Sequence, residues 1–185
     1  MADSILAKIK ENLVKEEPTR RALRLAAVAM ILRKEDKPEV LLIQRAERKG
    51  DPWSGQIAFP GGKSQPEDGN VRDTAIREAK EEVGIDLNEV GEFLGYGAVT
   101  TTHTGTMNVV PTVFMLRGQA DVMTNEEVAS YKWAPLRELL SPNATTTYHL
   151  EFPGEAMELP AYSVGDYVVW GLTHRILNSL VGSIG

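Results

Sequence analysis

Cysteine is absent from this 185-residue chain, which excludes a disulfide framework and any thiolate nucleophile or ligand. That absence is compatible with a reducing cytoplasm, where the chain is expected to work. No run of basic residues stands out and the net charge is −6, so binding of nucleic acid through a broad basic surface is not expected. No apolar run is long enough for a signal peptide or a membrane span, and no membrane partner is expected. Gly50-Asp51-Pro52-Trp53-Ser54-Gly55 does not fit a G-x-S-x-G nucleophile elbow, so serine hydrolase chemistry has no support. Repeats, linkers and low-complexity tracts are missing too. What is there is a hydrophobic content of 42% in a length that suits one domain with a substantial core.

The chain is organised around Phe59 to Ile85, FPGGKSQPEDGNVRDTAIREAKEEVGI. It reads as a strand end, a Gly-rich turn, a polar loop and one short acidic helix. Asn70 is a good N-cap, and Asp73 suits both a capping-box role and the positive end of the helix dipole. Val71, Ala75, Ile76, Ala79 and Val83 recur at three- and four-residue steps and make one buried stripe. Gly84 follows as a C′ residue able to take positive φ. Glu78 and Glu82 then fall one above the other at the edge of that stripe, with Glu81 further round and one turn on from Arg77. Carboxylates this close raise one another's pKa unless a cation sits among them, and a hard divalent ion answers that need. The same pattern also fits a solvated helix face. Gly61-Gly62 adds a turn where backbone groups approach a metal or a phosphate closely.

These residues resemble the signature of the Nudix hydrolase family, G-x5-E-x7-R-E-U-x-E-E-x-G-U with U aliphatic. Gly62 opens the motif, and the helical half matches from Arg77 to Ile85. Asp68 stands where the general signature has Glu, and eight residues separate it from Arg77. Both departures look like the coenzyme A pyrophosphatase branch, FPGG-x5-D-x8-REA-x-EE-x-G. A second run, Val169-Trp170-Gly171-Leu172-Thr173-His174-Arg175-Ile176-Leu177, is similar to that branch's IWGLT-x-RIL segment. Between Arg45 and Gly55 the branch carries a His, where this chain has Pro52-Trp53.

The resemblance implies an α/β fold, a Nudix-type α/β/α sandwich with a mixed sheet, the motif helix on one face and the C-terminal helix on the other. It implies one domain over 1–185, with an N-terminal helix over 1–20 and a C-terminal helix over 171–185. It further implies hydrolysis of a diphosphate bond in a small nucleotide-containing substrate, coenzyme A or a derivative. ADP-ribose, a dinucleotide or a nucleoside triphosphate stay open as substrates, as does a non-catalytic nucleotide-sensing module. Mg²⁺ or Mn²⁺ is expected on Glu78 and Glu82 with help from Glu81. Glu81 or Glu127 is expected to accept the proton of the attacking water, with Glu126 the neighbouring choice, and Arg77 to orient a carboxylate. Arg45, Gly61, Gly62 and Lys63 are expected to meet the substrate. The likeness leaves room for a homodimer.

Outside the motif, residues 1–20 read as an amphipathic helix on Ile5, Ile9 and Leu13, ended by Glu16-Glu17-Pro18. Leu23 to Leu32 and Val40 to Ile43 read as buried strands joined by the charged turn 34–38. Arg45 reads either as a phosphate grip or as a solvated strand end. Trp53 reads as a loop plug or a base-stacking residue, with packing preferred. Phe93 to Thr101 and Val109 to Leu116 read as strands around a hydroxyl-rich loop, where His103 is an ordinary polar residue or a phosphate contact. A short helix starts at Pro135, a strand lies near Tyr148 to Phe152 and a turn at Pro153-Gly154. The last helix begins near Leu172 with Ile176, Leu177, Leu180 and Val181 as its stripe.

Overall fold

The structure, a computed structural model, describes residues 2–18, 24–34, 36–51, 53–152 and 155–181. In chain order the elements are α1 (Ala2–Glu11), β1 (Arg24–Lys34), β2 (Pro38–Arg45), β3 (Ile57–Ala58), β4 (Gly61–Lys63), α2 (Val71–Val83), α3 (Leu87–Val90), β5 (Gly91–Tyr96), β6 (Thr100–Thr101), β7 (Met107–Leu116), β8 (Val128–Pro135), α4 (Leu136–Leu139), β9 (Thr145–Phe152), β10 (Glu155–Val164), β11 (Tyr167–Trp170) and α5 (Gly171–Val181).

β1 is the centre of an eight-stranded mixed sheet. It runs parallel to β7 from Arg24↔Met107 to Leu32↔Met115, and antiparallel to β2 and β4. Its near-continuous apolar run buries both faces, because helices cover the sheet on each side. One face sets Ala27, Ala29 and Ile31 with Leu41, Ile43, Val110 and Phe114 against Val71, Ala75, Ile76, Ala79 and Val83 of α2. Alanines on both partners let that helix lie close to the strand. The alternate residues Met30, Leu32, Val40, Leu42, Val109 and Val113 meet Leu6 and Ile9 of α1, Leu136 and Leu139 of α4, and the α5 stripe. The layers are helix, mixed sheet, helix, as expected.

Several boundaries differ from the sequence reading. The N-terminal helix ends at Glu11, not near residue 20. The Asn12 amide turns back to the Lys8 and Leu180 carbonyls, and the chain then extends so that Val14 pairs with Tyr96. Gly95, at φ 148, makes room for that segment: a Cβ there would fall 2.9 Å from Leu13 Cβ and the Val14 carbonyl oxygen. β5 shifts register against β7 between Phe93 and Gly95, and the strand expected over 93–101 is split into β5, which ends at Tyr96, and β6 at Thr100–Thr101. The C-terminal helix starts at Gly171 and is described as far as Val181. α4 starts at Leu136, with Pro135 at the position before it and no side-chain hydrogen bond capping the helix there. α3 was not expected; the Asp86 side chain caps it by accepting the Asn88 N–H.

β9, β10 and β11 form a separate antiparallel sheet. Pro160 hides the central strand from a sequence reading. It is tolerated because β11 begins to pair only at Ala161, so β10 has a neighbour on one side there. Leu23, Glu35, Pro52 and the turn at Pro153-Gly154 lie outside the described residues. Among the described residues no helix is long and apolar enough to cross a membrane.

Candidate active site

α2 forms as its residues dictate. The Asn70 side chain accepts the Asp73 N–H at 3.0 Å, the Asn70 amide donates to Asp73 Oδ2 at 2.9 Å, and Gly84 closes the helix at φ 71. Sheet packing then sets how deep each acid sits. Glu82 is only 2% exposed, and its Oε2 accepts the Gly61 N–H at 2.9 Å. Glu78 lies against the next residue of the turn: a Cβ on Gly62 would fall 2.4 Å from Glu78 Oε1. The Gly-Gly turn and the two inner acids are therefore in direct contact. Only glycine lets the chain come so close, since a Cβ on Gly61 would fall 2.4 Å from the Ala27 carbonyl oxygen of β1.

Arg77 knits the rest together. Its Nε and Nη2 fork onto Asp68 Oδ1 and Oδ2, each at 3.0 Å. Nη1 donates to Glu78 Oε1 at 2.7 Å and Glu81 Oε2 at 3.2 Å, and Nη2 also donates to the Lys63 carbonyl at 3.1 Å. The expected pairing with Glu81 is one of several. The deeper partner is Asp68, which also accepts from Gln65 N–H and from the Thr74 hydroxyl. Lys63 reaches this cluster through its carbonyl, while its side chain points outward into solvent.

These contacts tune the acids in opposite directions. The guanidinium holds the Asp68 carboxyl down at about 2 and is itself held further up by that contact. Burial pushes Glu78 up, and pushes Glu82 up to about 7, with the charge of neighbouring Glu78 adding to it. Glu78 and Glu82 offer carboxylate oxygens of the kind a hard divalent cation takes, and such a cation would favour their ionised form. Among the described residues no three acids or histidines are already grouped as a metal needs them, and Arg77 occupies one oxygen each of Glu78 and Glu81.

A late loop completes the cluster. Met123 N–H donates to the Val83 carbonyl and Asn125 N–H to the Glu82 carbonyl, folding residues 121–127 across the end of α2. Glu127 is thereby brought close enough for its charge to raise both Glu78 and Glu82. Its side chain is 44% exposed and lies 3.5 Å from Arg48, whereas Glu126 points into solvent. Arg45 is half-buried at the end of β2. It donates to Asp51 Oδ2 at 3.1 Å, and its charge partly offsets the rise in Glu82. Trp53 does not plug the loop: 44% of it is exposed. His103 sits exposed in a loop whose Thr102, Thr104 and Thr106 hydroxyls bond one another. Sequence reasoning missed the Asp68 fork and the Arg45–Asp51 pair. The signal for the fork was the Asp itself, standing where the general signature has Glu.

The NUDIX domain profile matches residues 23–152. An uncharacterized Nudix hydrolase, NudL, of Photorhabdus laumondii is 33% identical over 162 residues, covering 87% of this chain and 85% of that protein. Its Yersinia pestis counterpart is 34% identical over 165 residues, covering 87% and 80%. Among solved structures, the Ap4A hydrolase of Caenorhabditis elegans in binary complex is 28% identical, with a TM-score of 0.51 over 60% of this chain and 80% of that one. A MutT/nudix family protein of Enterococcus faecalis is 22% identical, with a TM-score of 0.55 over 89% of this chain and 63% of that one. The latter likeness is one of fold.

Proposed function

The chain belongs to the Nudix hydrolase family, whose members act on nucleotide diphosphates, and from that premise we propose that it cleaves coenzyme A or a derivative. Water adds across the P–O–P bridge and yields 3′,5′-ADP and phosphopantetheine. The observation that carries the chemistry is the contact between Glu82, Glu78 and the Gly61-Gly62 turn. The choice of substrate is supported by two separate stretches of branch resemblance that the fold brings together: the Thr173 hydroxyl of the second stretch donates to the Ile57 carbonyl, four residues before Gly61.

Glu78 and Glu82 with Glu81 are the residues that would hold a divalent cation, Mg²⁺ or Mn²⁺. Such an ion, when bound, neutralises charge developing on the phosphate oxygens and acidifies water. Arg77 acts as a positioning residue: anchored on Asp68, it orients Glu78 and Glu81 and has no donor left over for substrate. The backbone at Gly61-Gly62 and Lys63 lies where the diphosphate would approach, with Arg45 beside it. The proton of the attacking water goes to Glu81 or Glu127, the two acids of the set that reach solvent, at 54% and 44% side-chain exposure.

A product-resolved mass-spectrometric screen in Mg²⁺ and in Mn²⁺ tests this reading. 3′,5′-ADP with phosphopantetheine is the expected product pair. AMP with ribose 5-phosphate from ADP-ribose, and no product from coenzyme A, would overturn the choice of substrate. Glu81→Gln and Glu127→Gln then identify the proton acceptor, since the true one loses kcat about 100-fold and its alkaline plateau.

A further inference from the structure

We infer that Trp53, on a backbone tied to Asp51, is the surface on which the substrate's nucleobase stacks; this rests on the nucleotide-diphosphate reading above and deepens it.

The chain has three tryptophans. Trp133 lies under the Arg33 guanidinium, 4.3 Å from the ring centroid. Trp170 stacks on Tyr148, with centroids 4.2 Å and planes 6° apart. Trp53 has no ring or cation partner among the described residues, and 44% of it is open to solvent. A bare aromatic ring on a loop that is tied to Glu127 offers a face to a flat ligand.

Hydrogen bonds tie the described residues around the ring to their neighbours. Asp51 Oδ1 accepts the Trp53 N–H at 3.0 Å. The Ser54 hydroxyl both accepts from the Arg48 N–H and donates to the Arg48 carbonyl, each at 2.9 Å. Ala46 N–H ties the start of the loop to the Glu127 carbonyl at 2.8 Å. Gly50 and Gly55, at φ 87 and 72, make the bends that other residues resist. Each of these hydrogen bonds lowers the freedom the loop would have to lose when a base stacks on the ring.

One carboxylate links the Trp53 backbone to the side of the acids. The other Asp51 oxygen accepts Arg45 Nη2 at 3.1 Å. Arg45 Nε is buried with no hydrogen-bond partner among the described residues, an N–H that a phosphate oxygen would satisfy. Asp51 thus ties the backbone of Trp53 at one oxygen to the Arg45 guanidinium at the other, and the charge of that guanidinium acts on Glu82. A base on the first and a phosphate on the second describe a nucleotide. Stacking tolerates any base and gains most from the larger overlap of a purine.

The full chain as wild type, Trp53→Phe and Trp53→Ala is titrated with 3′,5′-ADP and with ribose 5-phosphate, by calorimetry and indole fluorescence. Trp53→Ala is expected to weaken 3′,5′-ADP binding about tenfold and to lose its fluorescence quenching, while Trp53→Phe retains the affinity. Ribose 5-phosphate, which has no base, binds all three equally. For whichever nucleotide diphosphate turns over, Trp53→Ala raises KM by the same factor with kcat unchanged. Loss of 3′,5′-ADP binding in Trp53→Ala without any turnover of coenzyme A would remove the coenzyme A assignment and leave Trp53 as the base platform. Unchanged 3′,5′-ADP binding in Trp53→Ala, or an equal loss for ribose 5-phosphate, would overturn the inference.

Discussion

Arg77 grips Asp68 with two parallel hydrogen bonds of 3.0 Å, from a helix turn back to the loop that precedes the helix. The Asp68 carboxyl is almost wholly enclosed and also takes the Thr74 hydroxyl. This forked geometry is the strong form of the ion pair. It explains why Arg77 can hold two glutamates at once without being drawn towards solvent.

Asp68→Asn is expected to destabilise the protein by about 2 kcal/mol at pH 7, because it leaves the guanidinium without its main counter-ion. The carboxyl is held at about 2, below its ordinary 3.8. Its contribution is therefore complete above about pH 4 and is lost as the pH falls through about 2. Urea denaturation at pH 7, 4 and 3 should show the gap between wild type and variant closing at the acid end. A constant gap across that range contradicts the assignment.

Glu82→Gln should have opposite effects on stability and activity. In the metal-free protein burial pushes the carboxyl up to about 7 from an ordinary 4.5. The folded state thus holds that proton more tightly than the unfolded one, and stability falls as pH rises from about 4.5 to 7. A neutral amide keeps an acceptor for the Gly61 N–H without that cost. Metal-free Glu82→Gln is expected to be about 1–3 kcal/mol more stable than wild type at pH 8 and equal to it near pH 4. Added Mg²⁺ should raise Tm for wild type alone, and turnover of the variant should fall about 100-fold. Near-normal turnover at saturating Mg²⁺ would remove Glu82 from the ligand set.

The two glycines of the turn should fail differently. A methyl at Gly61 meets the Ala27 carbonyl at 2.4 Å and Val28 Cα at 2.7 Å, both backbone of the central strand. Gly61→Ala should cost about 3 kcal/mol or more in denaturation experiments. At Gly62 the methyl meets only the Glu78 carboxylate, the far end of a flexible side chain. Gly62→Ala should fold with less than about 1 kcal/mol lost, yet turn over about 10–100-fold more slowly because Glu78 is displaced.

Thr173→Val should cost about 1–2 kcal/mol, since it leaves the buried Ile57 carbonyl without the hydroxyl it accepts at 3.0 Å. Thr173→Ser should restore most of that loss. Equal stability of the valine and serine variants would show that the bond contributes nothing to docking α5 on β3.

Much of this was readable along the chain. The cap at Asn70, the stop at Gly84 and the stripe from Val71 to Val83 follow from neighbours three and four residues apart, and the structure has all of them. The burial of β1 on both faces was visible in its unbroken apolar run. The end of α1 was not, because Asn12 turns to Leu180, 168 residues away. Nor was the second sheet, since Pro160 argues against a central strand until the short reach of β11 is known.

Helical period alone determined that Glu78, Glu81 and Glu82 line one side of a capped helix, because that order depends only on local geometry. Tertiary packing decided the rest: that Glu82 is sealed against Gly61 while Glu81 stays wet, that Arg77 turns to Asp68, and that Glu127 arrives from 45 positions further on to act on them. Burial and charge proximity depend on where distant segments meet, and no periodicity in one segment encodes that.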